Sequence, residues 1–240
     1  MTYGTLYGIG VGPGDPELIT LKAVNILQRV SVVFAASSTK NTYSLAKNIV
    51  SAHLKEGVPV RLLGFPMTRD KDVLKRAWKE NADRVLRVIG KEKDAAFVTL
   101  GDPMTYSTFG YLMHTIRETA PEIPIEIVPG ITSYQAGAAA ARMPLAEAEE
   151  SFTVISGAMG AQQLEKAINC SDRVVMLKVY RHYKEILDTL NLLAKGKRAV
   201  LVSRCGLSGQ EIAYDLGHRP DKVPHYLSLL IIGKKDREEG

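Results

Sequence analysis

The sequence predicts an α/β protein of two α/β domains, with a mostly parallel sheet in the N-terminal domain and a mixed sheet in the C-terminal domain. In the first half, short β-rich runs alternate with helical periodicity, as in βαβ units. Near residues 142–150, Pro144 and a cluster of glutamates interrupt the apolar pattern. Towards the end, strand-like runs follow one another without helices, which indicates antiparallel pairing. We therefore expect domains over 1–142 and 143–240.

The N-terminal half predicts five strands and five helices. The strands are expected at 5–10, 31–35, 60–63, 95–100 and 123–128. The helices are expected at 18–29, 43–54, 70–89, 106–119 and 132–141. The third helix has the clearest pattern, because Asp70 can cap it and apolar residues between Val73 and Ile89 fall near one face.

The C-terminal half begins again with a strand and ends in three strands. Its expected strands lie at 152–156, 173–179, 198–204, 210–213 and 226–232. Its expected helices lie at 162–169 and 182–194. The last three strands have no helix between them, so their pairing should be antiparallel.

The composition is that of an ordinary globular protein, with 45% hydrophobic and 24% charged residues. The net charge of +5 favours an anionic ligand, and the mixing of acids with bases argues against nucleic acid. Cys170 and Cys205 are far apart, which suits a reducing, cytoplasmic location and no zinc site. We expect no secretion signal and no membrane span, because no apolar run approaches the roughly 20 residues that a span requires.

The segment that most clearly indicates a ligand-binding loop is 8–20, which reads GIGVGPGDPELIT. A strand leads into a glycine-rich loop, and glycine lets backbone approach a ligand closely. The dinucleotide-binding spacing G-x-G-x-x-G is not met, because Pro13 or Asp15 stands at the third glycine position. No acid lies between Glu17 and Glu56 to bind a ribose, and no Gly-Lys-Ser/Thr forms a Walker loop. A purely structural turn is the alternative.

Two further strand ends carry loops of similar character. The segment 101–109 reads GDPMTYSTF, and 128–133 reads VPGITS. Ligands of open α/β sheets bind at such strand ends. Asp102 could hold an amine or a ribose hydroxyl, or cap the helix expected from Tyr106. The small residues of 136–141 suit either close helix–sheet packing or approach to a ligand.

Taken in order, the three loops resemble the marks of the tetrapyrrole methylase family. These marks are a G-x-G-P-G-D-P-E-L-[IL]-T start, a central G-D-P loop and a later V-P-G-[IV]-[ST]-S loop, and the resemblance covers essentially the whole chain. Three segments resemble those of the members that methylate C-20 of precorrin-2 or cobalt-factor II. These segments are GDPxxYSTF at 101–109, FPM at 65–67 followed by Asp70, and RxPLA at 142–146. The resemblance implies a methyltransferase of cobalamin biosynthesis.

The family resemblance also implies the architecture and the methyl donor. It implies two α/β domains with a cleft between them, a homodimer, and S-adenosylmethionine folded in that cleft. The donor-binding residues that it implies are Gly101, Asp102, Pro103, Thr105, Ile131, Thr132, Ser133, Leu177 and Leu207.

The substrate that the family implies is a large tetrapyrrole rich in carboxylates, which basic side chains can bind by charge-assisted hydrogen bonds. The implied substrate-binding residues are Pro13, Gly14 and Asp15 of the first loop and the basic residues Arg142, Lys178, Arg181 and Arg204. A solvated surface position is the alternative for each basic residue. An electron-rich ring carbon is itself the nucleophile, so the protein needs none. The candidates for a base that removes the proton are Asp15, Asp102, Tyr106 and His182, and the sequence does not choose among them.

Two other functions stay open. One is another activity of the same family, at a different ring position or on diphthine or ribosomal RNA. RNA would need a basic, aromatic-rich cleft, which the 7% aromatic content does not offer. The other is a non-enzymatic module that binds an adenine nucleotide. No bound metal is expected, because no His/Cys cluster is present, and any cobalt would come with the substrate.

Overall fold

The computed structural model describes residues 3–38, 44–90, 92–193, 196–214, 216 and 222–234. The chain forms two compact units, Met1–Thr132 and Ser133–Gly240, and each contains a five-stranded sheet flanked by helices. This confirms the predicted class of two α/β domains. None of the helices in the described ranges has both the length and the apolar character needed to cross a membrane.

The first unit has a fully parallel sheet. Its strands are β1 (Leu6–Gly10), β2 (Val32–Ser38), β3 (Val60–Phe65), β4 (Ala95–Thr99) and β5 (Ile125–Val128). Its helices are α1 (Leu21–Leu27), α2 (Leu45–Ser51), α3 (Lys71–Ile89) and α4 (Phe109–Thr119). The strand order is β3-β2-β4-β1-β5, and all four pairs are parallel. The alternation of strands and helices predicts this arrangement.

Helices cover both faces of the first sheet. The side chains of α3 and α4 pack with Phe34 and Phe97 on one face, and those of α1 and α2 pack with Ile9 and Val33 on the other. Every residue of β1 and β4 is buried, as expected for central strands of a parallel sheet. This double cover leaves the strand ends and their loops as the accessible part of the sheet.

The second unit has a mixed sheet. Its strands are β6 (Phe152–Ser156), β7 (Arg173–Leu177), β8 (Lys197–Ser203), β9 (Glu211–Ala213) and β10 (Ser228–Lys234). Its helices are α5 (Ser133–Ala140), α6 (Leu164–Cys170) and α7 (Tyr183–Leu193). The order is β6-β7-β10-β8-β9, with β6 and β7 parallel and the other pairs antiparallel. The predicted antiparallel pairing of the last three strands is confirmed.

Helix α5 belongs to the second unit. The structure divides the chain after Thr132, whereas the sequence predicts a boundary after Arg142. The reason is packing: a Cβ added at Gly137 would lie 3.5 Å from Leu229 Cδ1 and 3.7 Å from Val202 Cγ1, on the second sheet. The small residues of this helix therefore serve close helix–sheet packing.

Two predicted helix starts are wrong by three residues each, at residues 18 and 106. Helix α1 begins at Leu21, because the Thr20 hydroxyl accepts a hydrogen bond from the amide of Ala23 at 3.2 Å. Helix α4 begins at Phe109, because Tyr106 has a φ of 51°, in the left-handed region. The predicted helix ends at Tyr43 and Ala194 lie outside the described residues.

Candidate functional site

The three sequence motifs follow three neighbouring strands of the first sheet. Strand β1 lies between β4 and β5, with Gly10 beside Thr99 and Ile9 beside Val128. Because these strands are parallel, their carboxyl ends share one edge of the sheet. The loops after Gly10, Thr99 and Val128 therefore meet at one place, as expected for a ligand site of an open α/β sheet.

Backbone hydrogen bonds join the first two loops. The amide of Gly101 donates to the carbonyl of Gly12 at 2.7 Å, and the amide of Gly12 donates to the carbonyl of Gly101 at 3.3 Å. Both residues have positive φ angles, 81° for Gly12 and 71° for Gly101, which glycine adopts without steric cost. The two glycines thus form an isolated antiparallel bridge beyond the ends of the parallel strands β1 and β4.

The third loop is equally close to the other two. A Cβ added at Gly130 would lie 2.3 Å from the carbonyl oxygen of Gly101, and one added at Gly10 would lie 2.5 Å from the same atom. These separations exclude any side chain at either position. The glycines predicted to let backbone approach a ligand therefore also let the three loops approach one another.

Asp102 fastens the second loop to the third. Its Oδ1 accepts a hydrogen bond from the amide of Met104 at 2.8 Å and faces the Thr105 hydroxyl at 3.4 Å, and its Oδ2 accepts from the amide of Gly130 at 3.0 Å. The alternative role as helix cap is wrong, because α4 begins at Phe109 and has Thr108 as its cap residue. A carboxylate has about four acceptor positions, so the partly buried Asp102 keeps capacity for a ligand amine or hydroxyl.

The remaining donor-binding candidates fall into two groups. In the first unit, Pro103 and Thr132 are buried, and Ile131 is partly buried beside them in the chain. Ser133 begins α5, in the second unit. Leu177 ends β7, and Leu207 lies in the turn after β8, where its amide donates to the carbonyl of Arg204 at 2.9 Å.

The first loop contains a capped turn. The Asp15 carboxylate accepts a hydrogen bond from the amide of Glu17 at 2.9 Å and starts the short 3-10 turn Pro16–Leu18. Pro13 and Gly14 are buried, and Asp15 is partly buried. Of the three residues expected to face the substrate, Asp15 thus has the most accessible side chain, and the substrate-binding role of this loop stays a prediction.

Two of the predicted basic residues lie at one edge of the second sheet. Leu177 pairs with Leu229 and Ser203 with Ser228, so the ends of β7 and β8 flank the start of β10. Lys178 follows β7 and Arg204 follows β8 directly. Arg181 lies three residues after Lys178, and its Nε donates to the Tyr180 hydroxyl at 2.7 Å.

Arg142 is not at that edge. The neighbouring carbonyl of Ala141 accepts a hydrogen bond from the Tyr214 hydroxyl at 3.3 Å, and a Cβ added at Gly233 would lie 3.1 Å from Met143 Cε. These contacts place Arg142 near the end of β10, about 20 Å from its start at 3.3 Å per residue. The structure therefore separates Arg142 from Lys178 and Arg204.

Left-handed backbone marks several of the predicted site residues. Six residues other than glycine have positive φ angles in the described ranges. Four of them are predicted site residues, namely Tyr106, Arg142, Lys178 and Arg204. The left-handed conformation costs about 1–2 kcal/mol for a residue with a Cβ. Such strain is found preferentially at functional sites, which favours a role for these positions beyond solvation.

His225 was not predicted from the sequence, although it lies at the same edge as Arg204. Its Nδ1 accepts a hydrogen bond from the amide of Leu227 at 3.2 Å, so the neutral ring carries its hydrogen on Nε2 and can donate. Partial desolvation and the charge of Arg204 lower the pKa of His225 below its ordinary value. The antiparallel pairing of the last strand is the feature that would have predicted His225 at this edge of the sheet.

His182, the remaining base candidate, has a local partner. Its Nδ1 lies 3.4 Å from Oε2 of Glu185, and Oε1 of Glu185 accepts a hydrogen bond from the amide of Ala161 at 2.9 Å. His182 is therefore held at the start of α7. Within the described residues, no group of three or more His, Cys, Asp and Glu side chains could hold a metal ion.

Comparisons with known proteins agree with this arrangement. Residues 5–217 match the model of the Tetrapyrrole (Corrin/Porphyrin) Methylases. The chain is 35% identical to the cobalt-precorrin-2 C(20)-methyltransferase of Salmonella typhimurium, over 97% of both chains. It is 34% identical to the probable cobalt-precorrin-2 C(20)-methyltransferase of Methanocaldococcus jannaschii, again over 97% of both.

A solved structure shares the fold. The uroporphyrin-III C-methyl transferase of Thermus thermophilus, complexed with S-adenyl homocysteine, superposes with a TM-score of 0.69 at 23% identity. The match covers 96% of this chain and 97% of that one. The family match spans most of the chain and includes all three loops at the edge of the first sheet. The chain therefore belongs to the tetrapyrrole methylase family.

Proposed function

We propose that the chain is an S-adenosylmethionine-dependent methyltransferase that methylates C-20 of precorrin-2 or cobalt-precorrin-2 in cobalamin biosynthesis. The observation that carries this proposal is the full-length identity of 35% to a cobalt-precorrin-2 C(20)-methyltransferase. The similarity extends over 97% of both chains, so it includes the loops that distinguish members of the family. The loop GDPMTYSTF at 101–109 supports the same subgroup.

The loops at the edge of the first sheet fit the methyl donor. S-adenosylmethionine supplies a methyl group that its sulfonium makes electrophilic. Its amine and ribose hydroxyls are hydrogen-bond donors, and the carboxylate of Asp102 has acceptor capacity beyond its three contacts within the chain. We assign donor binding to Gly101–Thr105 and Ile131–Ser133, and the donor-binding roles of Leu177 and Leu207 stay predictions.

The chain contributes mainly alignment to the reaction. Holding two reactants in the correct geometry lowers a barrier by up to roughly 7–11 kcal/mol. The hydrogen bonds among Gly12, Gly101, Asp102 and Gly130 fix the loops before the donor binds. Asp15 and Tyr106 are our candidates for the base, because the Asp102 carboxylate is already engaged in holding the loops together.

The edge of the second sheet fits the carboxylates of a tetrapyrrole. Lys178 and Arg204 follow adjacent strand ends there, and His225 adds an Nε2 hydrogen-bond donor. Arg and Lys form charge-assisted hydrogen bonds with carboxylates. We assign substrate binding to Lys178, Arg181 and Arg204, and leave out Arg142 because it lies at the opposite edge.

We also propose that the enzyme works as a homodimer in the cytoplasm, without nucleic acid. Both cysteines are free thiols, Cys170 exposed and Cys205 buried, as expected in a reducing compartment. The homodimer is what the family resemblance implies. Light scattering of the purified chain would test the dimer, and a monomer at micromolar concentration would contradict it.

The decisive test of activity is methyl transfer to a defined substrate. The chain is incubated with S-adenosylmethionine carrying a ¹³C-methyl group and with precorrin-2, in parallel with and without bound cobalt. Mass spectrometry then counts the methyl groups gained, and NMR locates them. We expect one methyl group, at C-20. Transfer to another ring position would refute the subgroup, and binding of the donor without transfer to either form would refute the proposed enzyme.

A further inference from the structure

A basic pocket lies at the opposite edge of the first sheet from the three loops. It has a volume of about 370 Å³ and lies between α3 and the strands β2 and β3. The residues that line it are Ser31, Val32, Phe34, Arg61, Arg84, Arg87, Val88 and Lys93. Ser31 and Lys93 precede the amino ends of β2 and β4. From Lys93 to Thr99, the end of β4, the chain extends about 20 Å at 3.3 Å per residue, so this pocket is separate from the proposed donor site.

Four cations surround the pocket, and no acid lines it. Arg61 stands beside Phe34 in the register of β2 and β3, and Arg84 and Arg87 lie one turn apart on α3. Within the described part of the chain, none of the four cations forms an ion pair or a hydrogen bond through its side chain. A concave surface lined by charges of one sign concentrates ions of the opposite sign.

The acids nearby in sequence do not neutralise the cations. Asp94, next to Lys93, directs its Oδ1 to the amide of Thr5 at 2.8 Å. Glu80 and Asp83 lie about one turn before Arg84 and Arg87 on α3, and neither approaches an arginine within ion-pair distance. Since acids and bases are interspersed elsewhere in the sequence, a pocket with four bases and no acid is a distinct feature of this surface.

The pocket favours a compact anion over a hydrophobic acid. Val32 and Phe34 contribute to its floor but are almost completely buried, at 2% and 1% exposure, so its apolar surface is limited to the partly buried Val88 and the stems of the basic side chains. The charged ends of the four basic residues are the groups in this lining that can select a ligand. Arginine presents paired N–H groups that match phosphate and carboxylate oxygens, and three arginines can contact more than one such group. We propose that this pocket binds a compact anion that carries two or more phosphate or carboxylate groups.

Calorimetry of the full chain with two probes tests the proposal. Inorganic pyrophosphate represents the phosphate source and citrate the carboxylate source, each at low salt. The variant Arg84→Gln/Arg87→Gln removes two of the four cations. The control Lys75→Gln/Arg76→Gln removes the same charge from an exposed part of the same helix, outside the pocket. Circular dichroism and thermal melting establish that both variants fold.

We expect one-site binding of at least one probe, with the dissociation constant raised about tenfold or more in the pocket variant and less than about twofold in the control. Affinity for pyrophosphate alone identifies a phosphate ligand, and affinity for citrate alone identifies a polycarboxylate. The proposal is overturned if neither probe binds, or if both variants lose affinity equally, since that indicates a diffuse surface charge. Tighter, pocket-dependent binding of a single-stranded oligonucleotide would also overturn it.

Discussion

The carboxylate of Asp102 accepts a hydrogen bond from the backbone amide of Gly130 at 3.0 Å, although the two residues are 28 positions apart. This bond joins the loop after β4 to the loop after β5, and Gly101 joins the former to the loop after β1 through Gly12. The three motifs of the family thus form one hydrogen-bonded assembly. In the proposed function, these hydrogen bonds hold the loops that bind the donor.

Replacing Asp102 with alanine should affect both stability and donor binding. The amides of Met104 and Gly130 lose their acceptor, and the loss at the partly buried Gly130 costs up to about 1–3 kcal/mol, whereas water can reach the exposed Met104. We expect a lower free energy of unfolding in urea, and affinity for S-adenosylhomocysteine reduced about tenfold or more by calorimetry. Asp102→Asn keeps one acceptor oxygen, so it should recover part of the stability. If the alanine variant is less stable but binds S-adenosylhomocysteine with unchanged affinity, Asp102 only holds the loops together and does not bind the donor.

Replacing Gly130 with alanine should disrupt the loop assembly. Its Cβ would lie 2.3 Å from the carbonyl oxygen of Gly101, which is backbone and cannot rotate away. Overpacking of this kind costs about 1–3 kcal/mol or more. Gly110→Ala is the matched control, since a Cβ there meets no atom within 4 Å and the residue lies in α4. The control should gain about 0.5–1 kcal/mol. Equal urea midpoints for the two variants would contradict the close approach.

Replacing Lys178 with glycine should separate strain from function. Lys178 has a φ of 59°, a left-handed conformation that costs about 1–2 kcal/mol for a residue with a Cβ and that glycine adopts freely. Glycine also makes the unfolded chain more flexible, which offsets about 0.5–1 kcal/mol of that gain in stability. We expect unchanged or slightly higher stability, together with a raised KM for the tetrapyrrole and unchanged donor affinity. Glu92→Gly, at a φ of 58°, is the control that should alter stability alone. Identical kinetics in both variants would remove Lys178 from the substrate site.

The pH dependence of stability should contain a contribution from Asp172. A hydrogen bond from the amide of Ser151, and then one from Lys234, lower the pKa of Asp172 from 3.8 to about 2. Because the folded pKa is depressed, this carboxylate stabilises the fold above pH 3.8, and the contribution is lost as the pH falls towards 2. In urea titrations, Asp172→Asn should be less stable than the parent above that window and approach it below. A difference that is constant with pH would contradict this assignment.

The sequence predicted the parts of the fold that depend on local pattern. Strand and helix periodicity predicted the parallel first sheet, and the run of strands without helices predicted the antiparallel end of the second. Each of the three loops was predicted to follow a strand, and the structure places them on three adjacent strands. The sequence also indicated that the backbone at Gly10 and Gly130 makes close contacts, because only glycine permits such contacts.

Features that depend on tertiary contacts could not be predicted in the same way. The left-handed conformation of Tyr106 shortens α4, and no feature of the local sequence predicts that conformation for a tyrosine. The position of Arg142 depends on how α5 crosses the second sheet, and that of His225 depends on the register of β10 with β8. Both positions result from packing between segments that are far apart in the chain, and local sequence periodicity does not predict such packing.

The position of the bound donor product tests the central claim most directly. A crystal structure of the chain with S-adenosylhomocysteine should place the ligand against Gly101–Thr105 and Ile131–Ser133, with an amine or hydroxyl hydrogen-bonded to the Asp102 carboxylate. A ligand bound elsewhere, with these loops in contact with solvent alone, would contradict the account.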